Sequence, residues 1–360
     1  MRAAAVFPTE RRLAVVEDFP EPKIARPTDV KLRILSVGVC GTDREIASFV
    51  YGTPPEGYDY LVLGHEALGE VVETGSEAAG LFAPGDLGIP MVRIPCSDPN
   101  CAACRADRQD HCETLQYREH GIMRLHGFMT EYVVVDAKFL APVPRALGRD
   151  AVLVEPMTIA EKAFIQVDHI AARLPWKSQR RAVVVGAGPV GLLGAMALRL
   201  RGYEVVVYSL ERAPNPASGI VEAVGGRYVS SQDESTEQFA AKEGPFDLVY
   251  EAAGAPTAAF EVLKSMGPNG IFVLTGVPGR HGNVEFDTHG IMLNMVLKNQ
   301  CLLGTVNAGR DAFDLAVADL MKIQSQWPGV LDRIVTGRHK LENFAEPVLR
   351  PTGIKNVVDL

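Results

Sequence analysis

The sequence predicts an α/β protein of two domains: a barrel-like domain of antiparallel strands, then a doubly wound parallel sheet covered by helices. Three observations carry this. The chain has 360 residues, about twice what a single core ordinarily fills. Its N-terminal half is rich in short β-type runs punctuated by Gly and Pro, such as "DVKLRILSVGV", "LGEVVETG" and "GFMTEYVVV", the texture of short antiparallel strands. From Arg181 onward, apolar runs alternate with helical stretches, which is the pattern of βαβ units and a sheet buried on both faces.

The texture changes near Val154, where "EPMTIAEKAFIQVDHIAARL" carries apolar residues at helical spacing and Pro156 suits a first turn. The strand "RAVVVGAG" is followed by the helix "PVGLLGAMALRLRG" and the strand "YEVVVYSL". The alternation continues through "FDLVYEAAG", "AAFEVLKSMG", "GIFVLTGV" and "NQCLLGTV". Past Asn307 a helix, "DAFDLAVADLMKI", leads to a tail containing "VVDL" that is similar in texture to the N-terminal half. The expected division is therefore 1–163 completed by 310–360, with 164–309 as the second domain.

Composition excludes several classes. The chain is 47% hydrophobic and 22% charged, ordinary for a soluble globular protein. A formal charge of -8 leaves no basic excess for nucleic acid or an anionic membrane. The start, "MRAAAVFPTERR", has too short an apolar core for a signal peptide, and no run approaches the ~20 apolar residues of a membrane helix. A cytoplasmic protein is expected. No internal repeat or low-complexity segment interrupts the chain.

Gly186-Ala187-Gly188-Pro189-Val190-Gly191 is a G-x-G-x-x-G that follows a β-branched run and opens an amphipathic helix, the context a dinucleotide site requires. The first glycine permits the turn, the second lets backbone approach a pyrophosphate, and the third lets helix and strand pack closely. Glu211 stands about twenty residues beyond Gly191, where a carboxylate accepts from the adenosine ribose 2′-OH and repels a 2′-phosphate. That favours NAD. Arg212 beside it offers a guanidinium to the same phosphate, so NADP stays open.

Four of the six cysteines, Cys96, Cys101, Cys104 and Cys112, fall in one loop, "CSDPNCAACRADRQDHC". In a reducing compartment such clustering reads as metal binding before disulfide. Four thiolates close a tetrahedral zinc shell and leave no open position, so this site is structural. A second set is dispersed: Cys40, His65, Glu66 and Glu155. Singly, a cysteine is usually a small hydrophobe and a histidine a satisfied core residue. Jointly, beside a dinucleotide domain, they suit a zinc ion with three protein ligands and one open position, and hydride transfer benefits from a Lewis acid on the reacting oxygen.

"MRAAAV", "VGVCGTD", "GHE", the four-cysteine loop, "VVVGAGPVGLL" and "YEAAG" resemble, in order and over essentially the whole chain, the zinc-dependent medium-chain dehydrogenase/reductase family. "CETLQYREHGI", "GFMTEY", "EPMTIAEKA" and "LLGTVNAG" look most like its glucose (aldose) 1-dehydrogenase branch. The resemblance implies a GroES-like β-barrel catalytic domain, a Rossmann domain, and assembly as homodimers or homotetramers. It implies zinc-dependent oxidation of the anomeric C1 hydroxyl of a glucose-like aldose to the aldonolactone, with hydride passed to NAD(P). A polyol (sorbitol-type) or threonine-type zinc alcohol dehydrogenase is the alternative, since "GHE" is shared with those groups.

By position, the resemblance makes Cys40 and His65 catalytic zinc ligands, with Glu66 and Glu155 as candidates for the carboxylate. Thr42 begins a proton relay and Asp43 orients the site. Glu119 and Asn307 contact sugar hydroxyls, and Glu155 and Thr42 also face substrate. Val277, Thr305 and Asn307 join the glycine loop, Glu211 and Arg212 at the cofactor. Glu45 stands where alcohol-oxidising relatives often carry histidine. The first cysteine spacing is longer than the family commonly has. Leu210-Glu211 replaces a basic pair of NADP-using relatives, and Val92 and Ile159 replace polar sugar contacts of some members. A fold that kept the cofactor but lost the chemistry would have eroded the zinc set, yet Cys40, His65 and a carboxylate are all present.

Overall fold

The computed structural model describes residues 1–176, 180–279, 283 and 285–360. They form two compact units, one of residues 1–158, 307–321 and 335–360, the other of 159–306 and 322–334. The joints expected at 163/164 and 309/310 lie a few residues away, and 322–334, expected with the first unit, cluster with the second.

The first unit is built on a seven-stranded sheet around Asp29–Val39. One edge of this strand pairs antiparallel with Glu66–Thr74. Its other edge serves two partners, Tyr132–Asp136 along its first half and Lys355–Asp359 along its second. A strand of 11 residues is long enough to do both. Leu87–Pro90 and Leu140–Val143 extend one side, and Val335–Lys340 extends the other. Val30, Leu32, Ile34, Val37, Ala67 and Val358 face a common core in which each is at most 1% exposed. A three-stranded sheet of Arg12–Val16, Ala3–Phe7 and Leu61–Val62 joins the same core, and another small sheet holds Arg93–Ile94, Arg118–His120 and Arg124–Leu125.

The second unit holds a six-stranded, all-parallel sheet. Its spatial order is Arg227–Ser230, Glu204–Ser209, Arg181–Val185, Phe246–Glu251, Met266–Leu274 and Cys301–Gly304. Counted along the chain this is 3-2-1-4-5-6, the doubly wound order of the Rossmann fold, with its switch point beside the first strand. Val183, Val206, Val249 and Phe272 pair in register on one face of the sheet's centre, and Val184, Val207, Tyr250 and Val273 on the other, all of them buried, which explains why these strands read as unbroken apolar runs. Among the described residues no helix is long and apolar enough to cross a membrane.

Candidate active site, four-cysteine loop and dinucleotide loop

Cys40 caps the helix Gly41–Ala47 at the end of strand Asp29–Val39. The Thr42 amide donates to Cys40 Sγ at 3.4 Å, and the Cys40 amide donates to Asp43 Oδ2 at 2.9 Å. This reciprocal cap fixes the thiol at the start of the helix. Asp43 is fully buried. Its Oδ1 accepts from the Gly64 amide at 3.3 Å and lies 3.5 Å from His65 Nδ1. Asp43 thus braces the backbone on both sides of the site and faces the imidazole. One donor atom from each of Cys40, Asp43 and His65 lies within 4.8 Å of the others.

His65 is 4% exposed, and among the described residues its Nδ1 has no hydrogen-bond partner. Burial alone would lower the imidazole, but the Asp43 carboxylate and the Cys40 sulfur outweigh it and hold His65 well above its ordinary range. Its neighbour Glu66 begins the strand Glu66–Thr74 and forms a buried ion pair with Lys355 Nζ. Lys355 also donates to the Val39 carbonyl at 2.9 Å. Facing carboxylates hold this lysine charged: burial disfavours the ammonium, but Glu66 and then Cys40 raise it above the usual lysine value. Gly38 makes the space, because a Cβ there would strike Glu66 Oε2 and lie 2.9 Å from Lys355 Cε.

Glu155 opens the helix Val154–Ala171 and is buried. Burial, then the charge of Glu66, pushes its carboxyl up to about 8 against the pull of His65 and Lys355. Among the described residues, His65 and Lys355 are the basic groups that act on Glu155. A thiol, an imidazole and carboxylates gathered here fit zinc by donor type. The fit leaves Glu66 engaged by Lys355 and Glu155 without an ion pair among the described residues.

The four-cysteine loop fits more simply. Cys96 Sγ and Cys104 Sγ are 3.7 Å apart, Cys101 Sγ and Cys112 Sγ 3.9 Å, and all four thiols are free. A tetrahedron with Zn–S of about 2.3 Å has edges of roughly 3.8 Å. The donor atoms all lie within 4.8 Å of one another.

The glycine loop has the required geometry. Gly186 has φ +102 and its amide donates to the Tyr208 carbonyl at 2.9 Å. Gly188 caps the helix Pro189–Leu200, and a Cβ on it would meet nothing within 4 Å, so open space lies over the helix N-terminus where a phosphate binds. A Cβ on Gly191 would strike the Gly186 carbonyl. Pro189 and Val190 form the first turn. A pocket of about 730 Å³ lies alongside, lined by Gly186, Tyr208, Leu210, Ser231, Ala253 and Thr236 among others. Glu211, Arg212 and Val277 are exposed and are not among its lining residues. Arg212 donates to Asp233 Oδ1 at 2.7 Å and to the Gln232 carbonyl at 3.2 Å. Thr305 has a buried hydroxyl without a partner among the described residues.

Glu119 and Asn307, far apart in sequence, meet: Asn307 Nδ2 donates to Glu119 Oε1 at 3.2 Å. Asn307 adopts φ 59 and is held there by the Ala308 amide on its Oδ1 at 2.8 Å. Arg93, Lys355 and Gly38 escaped the sequence reading. Only position relative to a folded strand identifies them.

Residues 26–145 match the family model of the alcohol dehydrogenase GroES-like domain, and residues 148–360 match that of the glucose dehydrogenase C-terminus. The chain is 38% identical to a glucose 1-dehydrogenase of Methanocella arvoryzae and 39% identical to one of Thermoproteus tenax, in each case over 96% of this chain and 95% of the relative. The structure of Haloferax mediterranei glucose dehydrogenase in complex with NADP, Zn and gluconolactone is similar at a TM-score of 0.90, with 32% identity and coverage of 100% of this chain and 99% of that one. With both family models spanning the two halves of the chain, it belongs to the zinc-dependent medium-chain dehydrogenase/reductase family, in its glucose dehydrogenase branch.

Proposed function

We propose that this chain oxidises the C1 hydroxyl of a glucose-like aldose to the aldonolactone and passes the hydride to NAD(P). The observation that carries the reading is the joint presence of a Cys40–Asp43–His65 cluster with half-buried Cys40 and buried Asp43 and His65, an open glycine loop at a helix N-terminus, and likeness to a relative whose structure contains NADP, Zn and gluconolactone. Cys40 and His65, with a carboxylate from Glu66 or Glu155, would hold a catalytic zinc, and Cys96, Cys101, Cys104 and Cys112 a structural one. Zinc bound at the first site supplies a Lewis acid that makes an alcohol more acidic.

The chain's own residues do the rest. Asp43 orients His65 and the Cys40 backbone. Thr42, at the first turn of the helix that Cys40 caps, takes the hydroxyl proton and passes it outward, with Glu45 one helical turn further on. Glu119 and Asn307 hydrogen-bond sugar hydroxyls. Gly186, Gly188 and Gly191 cradle the pyrophosphate, while Val277, Thr305 and Asn307 line the nicotinamide end.

Glu211 gives NAD the advantage over NADP. The engagement of Arg212 with Asp233 and Gln232 supports this, because that guanidinium already has partners. The protein works in the cytoplasm as a homodimer or homotetramer. A panel of aldoses and polyols assayed with NAD and NADP tests the whole reading: lactone formation from an aldose is expected, and turnover of polyols alone would replace it with the sorbitol-type alternative. Glu211→Ala should lower the NAD/NADP ratio of kcat/KM by about tenfold, the scale of one charge-assisted hydrogen bond; an unchanged ratio removes Glu211 from cofactor choice.

A further inference from the structure

Arg93 is 5% exposed and stands directly opposite Glu119 in the small sheet, the two being Cα partners across antiparallel strands. A buried guanidinium needs several partners to offset its desolvation, and Arg93 has them. Its Nε donates to Glu119 Oε1 at 2.9 Å, and its Nη2 lies 2.9 Å from the same oxygen. Its Nη1 donates to the Asp110 carbonyl at 3.3 Å, inside the four-cysteine loop. Its plane lies over the Tyr117 ring, 3.6 Å from the centroid.

The two oxygens of Glu119 are therefore unequal. Among the described residues, Oε1 accepts from both Arg93 nitrogens and from Asn307, while Oε2 accepts none. The Glu119 side chain is buried but not sealed, at 6% exposure. A carboxylate so held presents one oxygen in a fixed direction, and an ionised carboxylate oxygen can only accept. A sugar hydroxyl can only donate to it.

We propose that Arg93 is a positioning residue of the sugar site: by occupying Glu119 Oε1 and the Asp110 carbonyl together, it aims Glu119 Oε2 at one substrate hydroxyl and ties that acceptor to the four-cysteine loop. This rests on the proposed role of Glu119 in binding sugar and extends it to a residue that touches neither sugar nor cofactor. The planar fork matters. A lysine in its place reaches one partner at a time, where the guanidinium reaches two in fixed directions.

The test is steady-state kinetics of the zinc-loaded Arg93→Met, Arg93→Lys and Glu119→Gln variants, with glucose and cofactor varied separately. Arg93→Met should raise the sugar KM by about tenfold or more, the scale of losing a hydrogen bond to a charged group, while kcat and the cofactor KM stay within about threefold. Arg93→Lys should fall between Arg93→Met and the parent. A parental sugar KM in Arg93→Met overturns the proposal, as does a parallel worsening of kcat and both KM values, which marks a structural role only. Should Arg93→Met fail to fold, Arg93→Lys decides: a sugar KM equal to the parent's overturns the proposal. Glu119→Gln separates the two levels. If it leaves the sugar KM unchanged, the role of Glu119 itself falls; if it raises the sugar KM while Arg93→Met does not, only Arg93 is dismissed.

Discussion

The two candidate metal centres of the first unit solve the same problem in opposite ways. The four-cysteine loop collects like donors from one stretch of chain, and their spacing of 3.7 and 3.9 Å across the paired sulfurs already matches a closed tetrahedron. The Cys40–His65 cluster collects unlike donors from a strand end, a helix cap and a second helix, and adds a lysine that no metal would use. A closed set of identical ligands has no vacancy. The dispersed set has more acids than a metal needs, and Lys355 engages one of them. Surplus ligands under separate control are what an exchanging, reactive centre requires; four equivalent thiols are what a fixed loop requires.

The comparison can be broken by experiment, beginning with the largest effect. Cys40→Ser should lower kcat/KM by about 10³-fold or more, equivalent to several kcal/mol of lost transition-state stabilisation, while the stability of the fold changes little. Near-parental turnover would remove the zinc role from that cluster. Lys355→Met should cost about 3–5 kcal/mol of unfolding free energy, because it leaves Glu66 buried without its partner. Denaturant unfolding checks this, and a loss under about 1 kcal/mol would mean that water or metal takes over Glu66. Cys112→Ser should cost about 2–3 kcal/mol in the same measurement and release one zinc while leaving the kcat of folded enzyme close to the parent's. A selective fall in kcat without a stability change would reverse the roles of the two centres.

The same contrast explains what could be read from the sequence. The four cysteines are legible because ligand and spacing lie in one segment. The glycine loop is legible because turn, strand and helix follow one another within a single βαβ unit, and the parallel sheet follows from its unbroken apolar runs. Cys40, His65, Glu66 and Glu155 could be gathered from the sequence only jointly and through resemblance, since each alone reads as core. Gly38 and Lys355 carry no local signal: one matters for a missing Cβ, the other for a strand register set 316 positions away from Val39. Arg93 likewise becomes visible only once its strand is paired with that of Glu119. The helices Pro216–Ala223, Thr236–Glu243 and Thr288–Leu297 carry no comparable sequence signal. The first two are only 8 residues long, little more than two turns, and the third is apolar on all sides yet buries none of its residues, so no amphipathic period marks it.

The place of Lys355 also has a consequence for how the protein is made. Glu66 and Lys355 are separated by 289 positions, and the whole parallel sheet is translated between them. On a ribosome, the four-cysteine loop can gather its thiols once residue 112 has emerged. The other centre cannot balance its charges until the strand Lys355–Asp359 slides in beside Asp29–Val39. Birth order therefore separates the two clusters in time: the four-cysteine loop can be assembled early, and the Cys40–His65 cluster stays unfinished until nearly all of the chain exists.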